Sequence, residues 1–286
     1  MSNMRDIKRK IKSVKNTQQI TKAMNLVSTS KLQRMRARLR ETRPYYVEMQ
    51  NTLKNIIACS NKNDLPFLKQ RKSGKTLVIA ITGDKGLCGG YNSNVIKEAM
   101  SIINSRSNVE VLAFGDKGLE YFKSKGITPR RYVTGVSDKP SYEDVLEISN
   151  YALYEYARGE ASEVLLCYTV FNSPISQEVK TVKILPIEGD VDDIQRSTKD
   201  NKSNMQFEPS AEAVFKYIVP KYVNALIYGA LIEAATCELS ARSTSMDNAT
   251  KNAEERINDM TVLYNRIRQG TITQEITEIV AGANAI

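Results

Sequence analysis

The 286-residue chain contains no histidine and no tryptophan. Without imidazole, the Ser-His and Cys-His nucleophile arrangements, His-ligated metals and histidine acid–base work are excluded. Its four cysteines, Cys59, Cys88, Cys167 and Cys237, are well separated and form no CxxC pair, which argues against a disulfide framework or a zinc site. Long apolar runs are missing too. The longest, Val223 to Ala235, is interrupted by Asn224 and Glu233 and is too short to span a bilayer. No apolar signal-peptide core follows Met1, and the composition agrees with a soluble intracellular protein. Glycine and proline are absent from the first 43 residues; the first of each are Gly74 and Pro44. Positive charge fills that stretch instead. Thirteen Lys/Arg stand against Asp6 and Glu41, a net +11 in a chain of net +9, so the remainder sums to −2. Self-repulsion along such a helix calls for an anionic partner.

The apolar pattern of this segment is that of a coiled-coil seam. Alternating steps of four and three from Ile7 reach Ile11, Val14, Gln18, Thr21, Asn25, Ser28, Leu32, Met35, Leu39, Thr42, Tyr46, Met49, Leu53 and Ile56. From Gln18 to Ser28 the positions are polar and the apolar residues stand one place earlier, at Ile20, Met24 and Val27, which predicts that the seam drifts there. The pattern persists past residue 50, which favours mature structure over a transit peptide. A matching seam at the other end of the chain runs from Ile218 through Ala225, Tyr228, Ile232, Ala235, Leu239, Met246, Ala249, Ala253, Met260, Leu263 and Ile267, broken by Lys221, Arg242 and Arg256. Two seams at opposite ends of one chain predict an antiparallel intramolecular pair. A second helix from about Pro220 to Ala281 would be about 90 Å long, so most of it would project from the body of the chain. Pro44 and Pro220 are expected to kink or break their helices, and Gly229 and Gly270 to weaken the second.

The middle is built differently. Residues 75–82, 109–114, 163–171 and 178–186 read as strands, and Asn92–Asn104, Lys117–Lys125 and Tyr142–Ala157 as helices. Alternating strand and helix predicts an open, mainly parallel, Rossmann-like α/β domain. The short Asn172-Ser173-Pro174 connection makes the last two strands an antiparallel edge pair. Ile81-Thr82-Gly83-Asp84-Lys85-Gly86-Leu87 is echoed at 113–119 as AFGDKGL, each just after a strand.

Chemistry that needs particular side chains is scarce. The glycine-rich turn 83–90, GDKGLCGG, lies where a phosphate-binding turn would lie, yet lacks GxGxxG spacing and has no Lys-Ser/Thr after its glycines. Gly74-Lys75-Thr76 precedes the strand and has Lys69 where the first P-loop glycine belongs. The turn is therefore expected to be a site of close packing or partner contact, with no nucleotide, cofactor or metal. The acid pairs Glu254–Glu255, Asp192–Asp193 and Glu143–Asp144 lack apolar surroundings and read as solvated faces.

The C-terminal run from Ile272 to Ala285, ITQEITEIVAGANA, closely resembles the terminal signature of the gamma subunit of bacterial-type rotary ATP synthases, I-T-x-E-x-x-[DE]-x-x-x-G-A-x-[SAKR]. MRDIKRKIKSVKNTQQITKAMNLVS at residues 4–28, GDKGLCGGYN after the first strand and FEPSAE before the last helix are similar to that family as well, so the resemblance spans the chain.

The resemblance implies a division into an N-terminal axle helix over 1–58, a central α/β foot over 75–200 and a C-terminal axle helix over 209–286. It implies a non-catalytic central rotor shaft that couples a proton-driven ring of c subunits to conformational change at catalytic beta subunits. The partners implied are the alternating alpha and beta subunits of the head, the epsilon subunit and the c ring, at the cytoplasmic side of the cell membrane as a peripheral protein. Contacts with the head are expected at Met24, Arg242, Ile272, Thr273, Glu275, Ile276, Glu278 and Ile279, and contacts with the c ring or epsilon at Phe207 and Glu208. In the family, acidic levers of the beta subunits bear on the axle, which suits the Lys/Arg excess. Nucleic-acid binding by a basic coiled coil and an α/β nucleotide enzyme are the rival readings; binding with a steep salt dependence would mark the first and a phosphate turn the second.

Overall fold

The computed structural model describes residues 4–59, 67–71, 73–173, 176–187, 208 and 210–284. The elements in chain order are α1 (Met4–Cys59), β1 (Lys75–Ile81), α2 (Tyr91–Ser105), β2 (Val109–Phe114), α3 (Asp116–Ser124), β3 (Arg131–Val133), α4 (Tyr142–Arg158), β4 (Ala161–Phe171), β5 (Gln177–Leu185) and α5 (Ala211–Asn284). They form two compact units, one of Met1–Ser30 with Arg242–Ile286 and one of Lys31–Ala241.

The second unit holds a five-stranded sheet in the order β3-β2-β1-β4-β5. The first four strands are parallel and β5 is antiparallel to β4, as the short connection requires. Alternate residues of β1 serve two cores. Leu77, Ile79 and Ile81 join Leu53, Ile56 and Ile57 of α1, Val145, Ile148 and Ala152 of α4, and Phe215, Val223 and Ile227 of α5 on one face. Val78 and Ala80 pack with Ala99 of α2 and Phe122 of α3 on the other. Burial on both faces is why these strands read as continuous apolar runs rather than alternating ones. A capping box starts α4, with Asp144 N donating to Ser141 Oγ (3.2 Å) and Ser141 N to Asp144 Oδ2 (2.7 Å), and Gly159 in the left-handed region ends it. The one strand absent from the sequence reading is β3, a three-residue edge with no fully buried side chain.

α1 and α5 run antiparallel to one another within each unit. In the second, Leu32 and Met35 of α1 pack with Ile232, Ala235 and Leu239 of α5, and Arg38 Nη2 donates to Tyr228 OH at 2.6 Å. In the first, Thr21 and Thr250 hydroxyls lie 2.8 Å apart, and Ser243 Oγ bonds Asn25 Oδ1 (2.7 Å) and Thr29 Oγ1 (3.0 Å). Helix is continuous through Pro44 and through Pro220, with no break at either, and α5 begins nine residues before Pro220 rather than at it.

The expected drift of the seam does not occur. All fifteen α1 positions reached by the four-three stepping are buried or half-buried, Thr21 at 8% and Ser28 at 4% exposure included, whereas Ile20 is 60% and Val27 55% exposed. Hydroxyl and amide side chains that bond across the pair replace apolar packing over this stretch, so hydrophobicity alone points to the wrong face. On α5 the seam departs from the expected positions instead. Ile257 and Tyr264 are half-buried, while Arg256 and Leu263 are exposed, because a four-residue step follows Ala253.

Candidate functional site

The carboxyl ends of the parallel strands are where an open α/β sheet binds ligands, in the crevice where strand order reverses. Here that point lies between β1 and β4, and the glycine-rich turn 83–90 follows β1 directly. Asn92 shapes the turn: its Oδ1 accepts from Gly83 N (2.8 Å), and its Nδ2 donates to Lys85 O (3.2 Å) and to Cys88 Sγ (3.3 Å). Residues of α5 pack over that point. Cys237 packs with Cys88 and Tyr91, with Phe171 against them, and its Sγ donates to Thr169 O at 3.4 Å. Glu238, 2% exposed, lays its carboxylate on Gly83; a Cβ added at Gly83 would come within 2.6 Å of Glu238 Cδ. The glycine therefore serves close packing of the chain against itself. Burial pushes the Cys237 thiol up, and that of Cys167 to about 11, so both are poor nucleophiles.

The two echoed GDKG turns face each other. Lys117 N donates to Gly83 O (3.1 Å), Asp116 N to Asp84 Oδ1 (3.2 Å), and Gly118 N to Thr82 Oγ1 (2.9 Å). Leu87, at the tip of the first turn, combines a left-handed backbone (φ 62°) with an exposed side chain. Among the described residues no group of three or more His, Cys, Asp or Glu could hold a metal ion, and no helix is long and apolar enough to cross a membrane.

The residues expected to meet partners fall into three places. Met24, half-buried, and Arg242, buried, adjoin Asn25 and Ser243, whose bond brings them to one level of the helix pair in the first unit. Ile272, Ile276 and Ile279 form one exposed stripe on α5, with Thr273, Glu275 and Glu278 exposed among them. Thr273 Oγ1 donates to Gln269 O (2.9 Å), and Glu278 Oε1 accepts from Gln274 Nε2 (2.9 Å). Glu208 is exposed, and Phe207 lies outside the described residues. Ile20 and Val27, which the sequence places one step off the seam, face solvent together with Leu26, which the stepping does not single out.

An α/β sheet whose glycine-rich turn is covered by the chain's own helix, and helices that leave Ile20, Leu26, Val27, Ile272, Ile276 and Ile279 exposed, mark the class of chains that work as components of a larger assembly. A family profile described as ATP synthase matches residues 3–286. The ATP synthase gamma chain of Lachnoclostridium phytofermentans is 42% identical over 291 residues, covering 100% of both chains. The sodium ion specific ATP synthase gamma chain of Acetobacterium woodii is 38% identical, covering 99% of both. A chain in the cryo-EM structure of the Tetrahymena thermophila mitochondrial ATP synthase central stalk and c ring is 26% identical, with a TM-score of 0.61 over 80% of this chain and 99% of that one. The chain belongs to the ATP synthase gamma-chain family, the non-catalytic rotor subunits of the central stalk.

Proposed function

We propose that the α1–α5 pair is an axle inside a head of alternating alpha and beta subunits, and that the α/β domain is a foot bearing on epsilon and on an ion-driven ring of c subunits. In this reading residues 1–58 and 209–286 belong to the axle, residues 75–200 to the foot, and the assembly holds the chain at the membrane as a peripheral subunit. The observation that carries it is the inversion at residues 18–28: polar side chains bond within the pair, and Ile20, Leu26 and Val27 are left for an outside partner. An asymmetric rod touches three beta subunits differently at each angle, so it favours a different conformation and nucleotide affinity at each, delivered in sequence as it turns. Met24 and Arg242 would meet the beta levers and the catch loop, Ile272, Ile276 and Ile279 would be the apolar bearing, with Thr273, Glu275 and Glu278 beside them, and Glu208 with Phe207 would contact the c ring or epsilon. Apolar contact suits turning, since directional bonds would hold each step.

Met24→Lys tests this. An ammonium added beside the turning surface would seize a beta carboxylate, and a partly buried pair of that kind costs a few kcal/mol to break. The reconstituted enzyme is expected to assemble and hydrolyse ATP but to pump fewer ions per ATP, with a steeper temperature dependence. Wild-type pumping by Met24→Lys vesicles would remove this surface from the coupling path.

A further inference from the structure

One aspartate gathers three loops at the carboxyl ends of the parallel strands. Asp84, after β1, accepts backbone N–H bonds from Asp116 after β2 (3.2 Å) and from Gly135 and Ser137 after β3 (2.9 Å each), while its own N–H donates to Ser137 Oγ (2.9 Å). The residue after Ser137 is Asp138, whose carboxylate stands between two ammonium groups. Lys85 Nζ reaches it at 2.8 Å from the first loop, and Lys31 Nζ at 2.8 Å from α1. The paired cations hold the Asp138 carboxyl down, at about 2. Lys31 is also the first α1 residue of the second unit.

We propose that this three-loop plate is the joint by which the α/β domain holds α1 against rotation about the helix's own axis, with Asp138 as its positioning residue. The inference rests on the rotor reading above. Further along α1, Leu53, Ile56 and Ile57 bind the helix to the sheet through apolar contact, which resists separation but has no preferred direction. Torque about the helix axis needs a contact off that axis with a fixed anchor. Lys31 supplies the lever arm, and the bonds to Asp84 keep the loop carrying Asp138 from following the helix. Glu238 seats α5 on the same turn, so both helices are held at one plate. The Lys31–Asp138 pair is two-fifths exposed, so salt will weaken it.

The test uses reconstituted holoenzyme in vesicles, measuring ions pumped per ATP hydrolysed as ionic strength is raised. Asp138→Lys is expected to leave hydrolysis unchanged and lower the pumping ratio about two- to fivefold at low salt, the scale of one exposed ion pair, with the gap to wild type closing at high salt. Lys31→Asp combined with Asp138→Lys restores the pair in reverse and is expected to recover most of the ratio, which a merely misfolded loop would not. Wild-type pumping by Asp138→Lys, or no recovery in the double variant, would overturn the joint. If Met24→Lys uncouples while Asp138→Lys does not, only the joint falls; if both pump as wild type, the proposed head contact at Met24 falls with it.

Discussion

Gly115 and Gly126 both hold positive φ, +89° and +77°, but different things constrain them. A Cβ on Gly115 would run into the Thr82 carbonyl, whereas one on Gly126 would meet nothing within 4 Å. Gly126→Ala should therefore cost about 1 kcal/mol, the left-handed strain alone, and Gly115→Ala about 3 kcal/mol or more because β1's exit must move as well. Urea unfolding midpoints of the two variants would separate these, and equal shifts would show that the close approach is relaxed. Glu233 presents a second case. Its Oε1 accepts from Phe171 N at 3.0 Å, at the end of β4. Burial nevertheless raises its carboxyl above the ordinary 4.5, against the pull of that bond and of Arg43, Tyr168 and Lys180. A raised acid binds its proton more tightly in the folded chain, so its contribution to stability is fully present below the unfolded value and is lost as pH rises through the folded one. Glu233→Gln keeps an oxygen for the Phe171 bond, and it should gain on the wild type as pH rises above 4.5. Parallel stability–pH curves for the two proteins would refute the shift.

The helices carry the same lesson at longer range. Thr21 Oγ1 and Thr250 Oγ1 bond each other across the pair, and each also lies in reach of a carbonyl of its own helix, Gln18 O (3.0 Å) and Met246 O (2.8 Å). Thr21→Val or Thr250→Val alone should cost about 1 kcal/mol by removing the bond across the pair, while the double variant, which loses that same bond only once, should cost less than the sum of the two. A thermal-denaturation double-mutant cycle with additive losses would mean the hydroxyls act independently. The seam of α1 was legible position by position from stepping, but its polar stretch was misread as drift because apolar Ile20 and Val27 stand next door. Buried strands were legible to within a residue or two because both faces of the sheet are covered, and β3 was not because three half-exposed residues leave no pattern. The stripe Ile272, Ile276, Ile279 has helical spacing and shows in the sequence; the bonds from Asp84 to residues 116, 135 and 137 have no local period and cannot.

Across the whole chain, charge is divided unevenly: net +11 over the first 43 residues and −2 over the rest. If α1 enters an acidic socket of the head, as the proposed axle would, long-range attraction should speed its capture, so the rate of association with separately prepared alpha and beta subunits should fall as salt is added. Stopped-flow rates independent of ionic strength would leave the cationic helix without a steering role. The position of α5 over the glycine-rich turn has a further consequence. As a binding equilibrium, Cys237 and Glu238 are a tethered competitor for the mouth of the sheet, present at the high effective concentration that covalent linkage confers. A diffusing metabolite would have to displace Cys237 and Glu238, already held at high local concentration, before it could reach the glycine-rich turn.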